Sequence, residues 1–371
     1  MSIYLDFNAS TPVAPEVAAR MAAVLHEPFG NPSSDHWAGT SAREAVETAR
    51  AQVAALLECD AGEVIFTSGG SEANNHAIKG AFFATRVAHP HIITTEVEHP
   101  AVVGPCRFLE RLGAKVTYVP VDGFGRVDPD DVRRAVTPDT ILISVMHANN
   151  EVGTIQPIAD IGRIAREHGV LLHTDAAQSV GKIPTKVKEL GVDLLSVVGH
   201  KFYGPKGVGA LYVRAGAQLE PLIHGGGHES GRRAGTENVL LNVGLGAACE
   251  VAESWISGDT IRELRDLFWH RLNEEFDNVA LNGHPIERLP NTLNVSFPGS
   301  VGAEILHALS EVAASTGSAC HSGAVELSPV LKAMRVPLQI GMGAVRFSLG
   351  RTTTAEEIET VVQRLKTVLE P

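Results

Sequence analysis

Four short segments of the 371-residue chain carry residue types suited to chemistry rather than packing. Lys201 stands in SVVGHKFYGPKG, directly after an apolar run and between glycines that force a tight backbone. An amine at a strand end is either hydrated there or, with a depressed pKa, fitted for Schiff-base chemistry. Asp175 closes the run VLLHTD and is followed by Ala176, Ala177 and Gln178. A buried carboxylate in that place needs a cationic or protonated partner, whereas a solvated one simply caps the turn into the next element. Ser68, Gly69, Gly70 and Ser71 lie between a strand and a helix. There the backbone N–H groups and the Ser71 hydroxyl cradle an anion, or Ser71 is an ordinary helix N-cap. The loop lacks the lysine of a Walker A motif and the glycine spacing of a dinucleotide-binding turn. Cys320 lies in the polar, glycine-rich segment STGSACHSGAVE, which reads as a surface loop. An exposed thiol in such a loop is better explained by reactivity than by packing.

The elements that must position these residues follow from hydrophobic periodicity. Between residues 40 and 215, stretches with apolar positions three or four apart predict helices over Ser41–Leu57, Glu72–Thr85, Ala101–Leu112 and Ile158–His168. Runs rich in β-branched residues predict seven strands: Glu63–Thr67, His91–Val97, Lys115–Val119, Thr140–His147, Val170–Thr174, Asp193–Val197 and Ala210–Val213. This alternation predicts an α/β fold with a mostly parallel seven-stranded sheet covered on both faces. Five strand ends lead into polar clusters, and ligands of such sheets bind beyond the carboxyl ends, so one convergent site is expected. After Leu219 a glycine-rich connector, HGGGHESGRRAGTEN, precedes a long helical region from Val239 to Phe276, interrupted at Ser257–Asp259. A strand at Thr292–Phe297, a helix at Ala303–Ser310, a strand at Arg346–Leu349 and an amphipathic helix at Ala355–Leu369 complete the chain. The expected division is a large domain over residues 15–255 and a smaller α+β domain over 1–14 and 256–371 that carries the cysteine loop.

The formal charge of -12 disfavours a nonspecific nucleic-acid binder, which needs a basic track. No apolar run reaches the roughly 20 residues that span a membrane, and no leader precedes the first strand, so a cytoplasmic protein is expected. The four cysteines, Cys59, Cys106, Cys249 and Cys320, are scattered, with spacing that suits neither zinc nor a disulfide framework. No resident metal is expected.

Taken together, the segments YLDFNASTP, FGNPSS, EVIFTSGGSEANNHAIKG, EHPAV, MHANNEVGTIQPI, HTDAAQSVGK, VGHKFYGPKGVGALYVR, HGGGHESGRRAGTEN, LPNTLNVSF, STGSACHSG and VRFSLGR run nearly end to end. They resemble the NifS/IscS-like cysteine desulfurases, and also the selenocysteine lyases, within the fold-type I enzymes that use pyridoxal 5'-phosphate (PLP). The resemblance implies that Lys201 carries PLP covalently, that His99 stacks on its ring and moves protons, and that Asp175 pairs with the pyridine nitrogen. It implies Gln178 at the phenolic oxygen, Asn150 near that oxygen and the substrate, and Gly70, Ser71 and His200 at the phosphate. Thr236 would come from the partner subunit of a homodimer, and Arg346 would clamp the substrate carboxylate. Cys320 matches the cysteine that receives sulfur as a persulfide, for delivery to an iron–sulfur scaffold or tRNA-thiolation acceptor. No membrane or direct nucleic-acid partner is implied. Val198 stands where the family often has serine, Ser71 where threonine is commoner, and His321 follows the cysteine as in selenocysteine lyases. Three readings follow: a cysteine desulfurase forming L-alanine, a selenocysteine lyase, or a non-catalytic regulatory or assembly protein that keeps the fold.

Overall fold

The computed structural model describes residues 2–254, 256, 259–316 and 326–369. All seven expected strands form one sheet, in the spatial order Val64–Thr67, Gly209–Val213, Leu194–Val198, Leu171–Asp175, Thr140–Ser144, His91–Thr95 and Lys115–Val119. Only Gly209–Val213 runs against the rest, antiparallel to both of its neighbours. The cause is the short connection over residues 199–208, since a parallel return needs a crossover of a dozen residues or more. The strands His91–Thr95, Leu194–Val198 and Gly209–Val213 are buried at every position, as helices on both faces require.

A second, antiparallel sheet joins Ala344–Ser348, Thr292–Ser296 and Ala280–Asn282. Its core includes Phe268, Leu293, Phe347 and Val361, drawn from the sheet and from the helices Thr260–Glu275 and Ala355–Leu369. Val330, Leu331 and Met334 instead join the core of the large sheet. The long helical region is two helices, Val239–Glu253 and Thr260–Glu275, broken where the sequence is rich in small and polar residues.

The N-terminal segment departs most from expectation. Pro12 and Pro15 are residues that favour turns in a sequence, yet Pro15 opens the helix Pro15–Ala23, a position where its missing N–H costs nothing. Ahead of it, Ile3–Tyr4 pairs with Val312–Ala313, and both strands are too short for periodicity to reveal. The segment then bridges the two sheets. Ser348 N–H donates to the Leu5 carbonyl at 2.7 Å, and Thr11 N–H to the His200 carbonyl at 2.9 Å. Among the described residues, no helix is long and apolar enough to cross a membrane.

Candidate active site

The carboxyl ends of the central strands open into a cavity of about 310 Å³. Lys201, Asp175, His99, Gln178, Asn150, Gly70, Ser71, His200 and Arg346 all reach it. Five separate strand ends and a strand of the second sheet supply these groups, as the crossover rule requires. Thr236 lines a different depression with Arg233 and Glu237. Cys320 and His321 lie outside the described residues.

Lys201 ends a 3₁₀ turn, Gly199–Lys201, that follows the buried strand Leu194–Val198. Its Nζ donates to the carbonyls of Asn8 and Ala9, both at 2.8 Å. Burial and the nearby Arg346 charge bring the amine down to about 8, against the attraction of Asp175 and Asp6. A neutral amine has two N–H donors, so the two carbonyls satisfy both and leave its lone pair free. That lone pair makes the amine a nucleophile or a base.

Asp175 meets both readings of its sequence position. Oδ1 accepts from Ala177 N–H at 2.9 Å, as a cap does, while Oδ2 accepts from Asn74 Nδ2 at 2.6 Å. The side chain is buried and still lines the cavity. His99 caps the helix Pro100–Glu110, its Nδ1 accepting from Ala101 N–H at 3.1 Å. Burial lowers its pKa, with Asp175 opposing and Lys201 adding to the effect. The imidazole is therefore neutral at neutral pH, with its proton on Nε2.

Ser71 is not an N-cap. The helix Gly70–Ala84 begins two residues earlier than expected, with Gly69 at the cap in a left-handed conformation, φ 143°. Only glycine takes that angle freely, and it leaves the first-turn N–H groups aimed outward. At Gly70 an added Cβ would lie 2.5 Å from Val198 Cγ2. Val198 is buried and β-branched, so it yields poorly. Gly70→Ala is expected to cost about 1–3 kcal/mol in urea denaturation, and Gly70→Ala with Val198→Ala to recover part of it. Equal stability of the single variant and the parent would refute the contact.

Arg346 sits in the strand Ala344–Ser348 and is buried. Nη1 donates to the Asn150 carbonyl at 2.9 Å and Nη2 to Asp6 Oδ1 at 2.7 Å. Arginine has five N–H donors, so three remain, and Nε has no partner among the described residues. Asn150 owes its place to Asn149, whose Oδ1 accepts from Glu151 and Val152 N–H groups while its Nδ2 donates to the Val97 carbonyl. His200 bonds Ser10 Oγ through Nδ1 at 3.3 Å, and burial beside Lys201 and Lys206 lowers its pKa to about 4.

Sequence reasoning missed Asn8, Asn74 and Lys182, which hold the groups above in place. Their signal was present in YLDFNAS, SEANN and QSVGK, but nothing in one dimension joins them. The Arg232–Arg233 pair is structural here. Arg233 forks onto Glu72 at 2.8 and 3.2 Å, and Arg232 reaches the Gly62 carbonyl at 2.9 Å.

A mixed seven-stranded sheet with a lysine, a carboxylate and a glycine-bounded helix start at its strand ends is the arrangement of the fold-type I PLP enzymes. The family model "Aminotransferase class-V" matches residues 3–361, and the chain belongs to that family. Its relatives narrow the assignment. It is 50% identical to the cysteine desulfurase IscS of Dictyoglomus turgidum, over 99% of this chain and 96% of that protein. It is 48% identical to the cysteine desulfurase IscS of Methanosarcina thermophila, over 98% and 90%. A solved NifS-like protein superposes with a TM-score of 0.93 at 38% identity, over the whole of both chains. A solved structure of SspA in complex with cysteine gives 0.85 at 39%, over 94% of this chain and 99% of that one. Within the class, then, the chain is a member of the NifS/IscS-like cysteine desulfurase family.

Proposed function

We propose that the chain converts L-cysteine to L-alanine with PLP as cofactor and takes the sulfur onto Cys320 as a persulfide. The balance is L-cysteine plus the Cys320 thiol giving L-alanine plus the Cys320 persulfide. One observation carries the reading most directly: a half-buried amine whose pKa is brought down to about 8 shares a cavity with a buried carboxylate and a buried arginine that has donors to spare.

The residues present fit PLP. Gly70, where a side chain would collide with Val198, leaves the helix start open to a phosphate, and Ser71 and His200 stand beside it. Asp175 would hold the ring nitrogen with its carboxylate, and Gln178 and Asn150, which line the same cavity, would hold the ring oxygen. Asn74 Oδ1 is buried without a partner among the described residues, a polar atom that an absent group would explain. When bound, PLP would join the substrate amine and supply an electron sink for the pair left at the α-carbon.

The chain's own groups do the rest. Arg346 holds the substrate carboxylate through the donors that Asn150 and Asp6 leave, and Asn150 contacts the substrate beside it. Lys201, with an amine near 8, moves the proton at the α-carbon. His99, neutral and carrying its proton on Nε2, handles the proton of the substrate thiol or of the ring oxygen. The Cys320 thiolate bonds to the substrate sulfur as the Cβ–Sγ bond breaks, and the carbon keeps the electron pair and takes a proton. The persulfide passes to an acceptor, an iron–sulfur scaffold or a tRNA-thiolation protein. The family likeness also supports a homodimer in which Thr236 completes the partner's site, and its position away from Lys201 in one chain accords with that. Residues 15–255 then form the cofactor-binding unit, and 1–14 with 256–371 the unit that brings Arg346 and Cys320.

The test compares cysteine with selenocysteine. Cys320→Ala is expected to lower alanine release from cysteine by at least about 10²-fold and to remove the trapped persulfide. Release from selenocysteine should persist, because a selenol is more acidic and its carbon–selenium bond weaker. Full activity of the variant on cysteine would exclude the persulfide route and favour lyase chemistry.

A further inference from the structure

Lys182 is a second lysine behind the cavity, and among the described residues its amine has no carboxylate partner. Nζ lies 2.9 Å from Asn8 Oδ1 and 2.9 Å from Gln178 Oε1. The charged groups that act on it are Lys201 and Arg346, both positive, and together with burial they drive its pKa well below the usual lysine range. Two acceptors match the two N–H donors of a neutral amine, so the group is satisfied without charge. Gln178 and Lys182 are four residues apart in the turn that follows the strand Leu171–Asp175, which bends back at Gly181 with φ 75° and brings their side chains together.

The other end of the Gln178 amide meets the main chain. Nε2 donates to the Asn8 carbonyl at 2.9 Å, the same carbonyl that accepts from Lys201. A carbonyl only accepts, so it requires the nitrogen on its side; the oxygen on the other side then requires a donor, and Lys182 is that donor. With the amide held this way, Oε1 is turned to Lys182 and the second Nε2 hydrogen is the donor Gln178 has left for the cavity it lines.

We infer that Lys182 is a positioning residue: it fixes the Gln178 amide with its oxygen turned to Lys182, so that Gln178 offers an N–H donor and favours an anionic oxygen on the bound cofactor. This rests on the reading of Gln178 as the neighbour of the PLP phenolic oxygen. A donor at that oxygen draws off negative charge that would otherwise retain the proton shared with the cofactor–lysine linkage. Losing it raises the pH at which that proton leaves.

The test is a pH titration of the visible absorption of the purified holoenzyme, which reads the linkage and not turnover. Lys182→Met is expected to raise the midpoint by about one pH unit, Gln178→Met by as much, and the double variant no further. Lys182→Gln keeps an N–H donor on a side chain one atom shorter and should return the wild-type midpoint; it also stands in for the methionine variant should that fail to fold. A Lys182→Gln midpoint at the Gln178→Met value overturns the inference. So does a wild-type midpoint in Lys182→Met while Gln178→Met is displaced, an outcome that leaves the Gln178 contact standing. Shifts that add in the double variant overturn it too, by making Lys182 act on its own. No displacement in either single variant removes the Gln178 contact itself.

Discussion

Replacing Lys201 with alanine is expected to lower alanine formation from cysteine by about 10³-fold or more, and to leave the protein folded. The scale follows from the two roles proposed for Lys201, acid–base group and cofactor anchor, since the first alone contributes about 10²–10⁴-fold. The fold should survive because Lys201 gives its N–H donors only to the Asn8 and Ala9 carbonyls, which water can serve once the side chain is gone. The same amine makes a prediction on pH. Its folded pKa is about 8, below the ordinary lysine value of 10.5, and only the neutral form attacks an aldehyde. Capture of PLP by the cofactor-free protein should therefore speed up as the pH rises through about 8 and level off above it. Stopped-flow absorbance would measure this. A rate still climbing tenfold per unit between pH 9 and 10 would mean that burial does not depress the amine.

The second large effect is on stability, at the pair Arg50 and Glu229. Arg50 Nη1 and Nη2 fork onto the Glu229 carboxylate at 2.6 and 3.0 Å, with side-chain exposures of 8% and 2%. Arg50 Nη1 also reaches the Val64 carbonyl at 2.9 Å, and Phe66 N–H donates to Glu229 Oε2 at 3.1 Å. The pair thus satisfies the backbone of the strand Val64–Thr67 just before it delivers the Ser68–Ser71 loop to the cavity. Arg50→Met leaves a buried carboxylate without its cation and is expected to cost about 3–5 kcal/mol, read from the urea midpoint. Arg50→Met combined with Glu229→Met removes both charges and should cost less than the single change. If the single variant loses under 1 kcal/mol, the pair is screened by solvent and does not hold the loop.

Much of this architecture was legible in one dimension because its signals are local. The strands Lys115–Val119 and Thr292–Ser296 and the helices Ile158–His168 and Ala355–Leu369 are long, periodic and bounded by polar residues, and they form within a residue or so of expectation. The strand Gly209–Val213 was legible too but its reversal was not, because direction depends on how far a short connection can travel. Nor were Ile3–Tyr4 and Val312–Ala313, which are strands only because each finds the other. Ser71 shows a smaller failure of the same kind. A serine after two glycines reads as a cap, but Gly69 can take a left-handed angle and starts the helix earlier.

The site divides along the same line. Residue type and local context by themselves determined that Lys201, Asp175 and the Ser68–Ser71 loop stand at strand ends, and motif likeness determined the family. Only the tertiary structure decided what each group is chemically. The Lys201 amine is depressed because residues 8 and 9 close over it and Arg346 comes from another sheet. Burial beside Lys201 and Arg346 holds the Lys182 amine below the usual lysine range, and Asn8 accepts from both Lys182 and Gln178 and so orients them. Charge state and hydrogen-bond direction depend on burial and on partners as far as 340 positions away, as between Asp6 and Arg346, and such distances leave no trace in spacing.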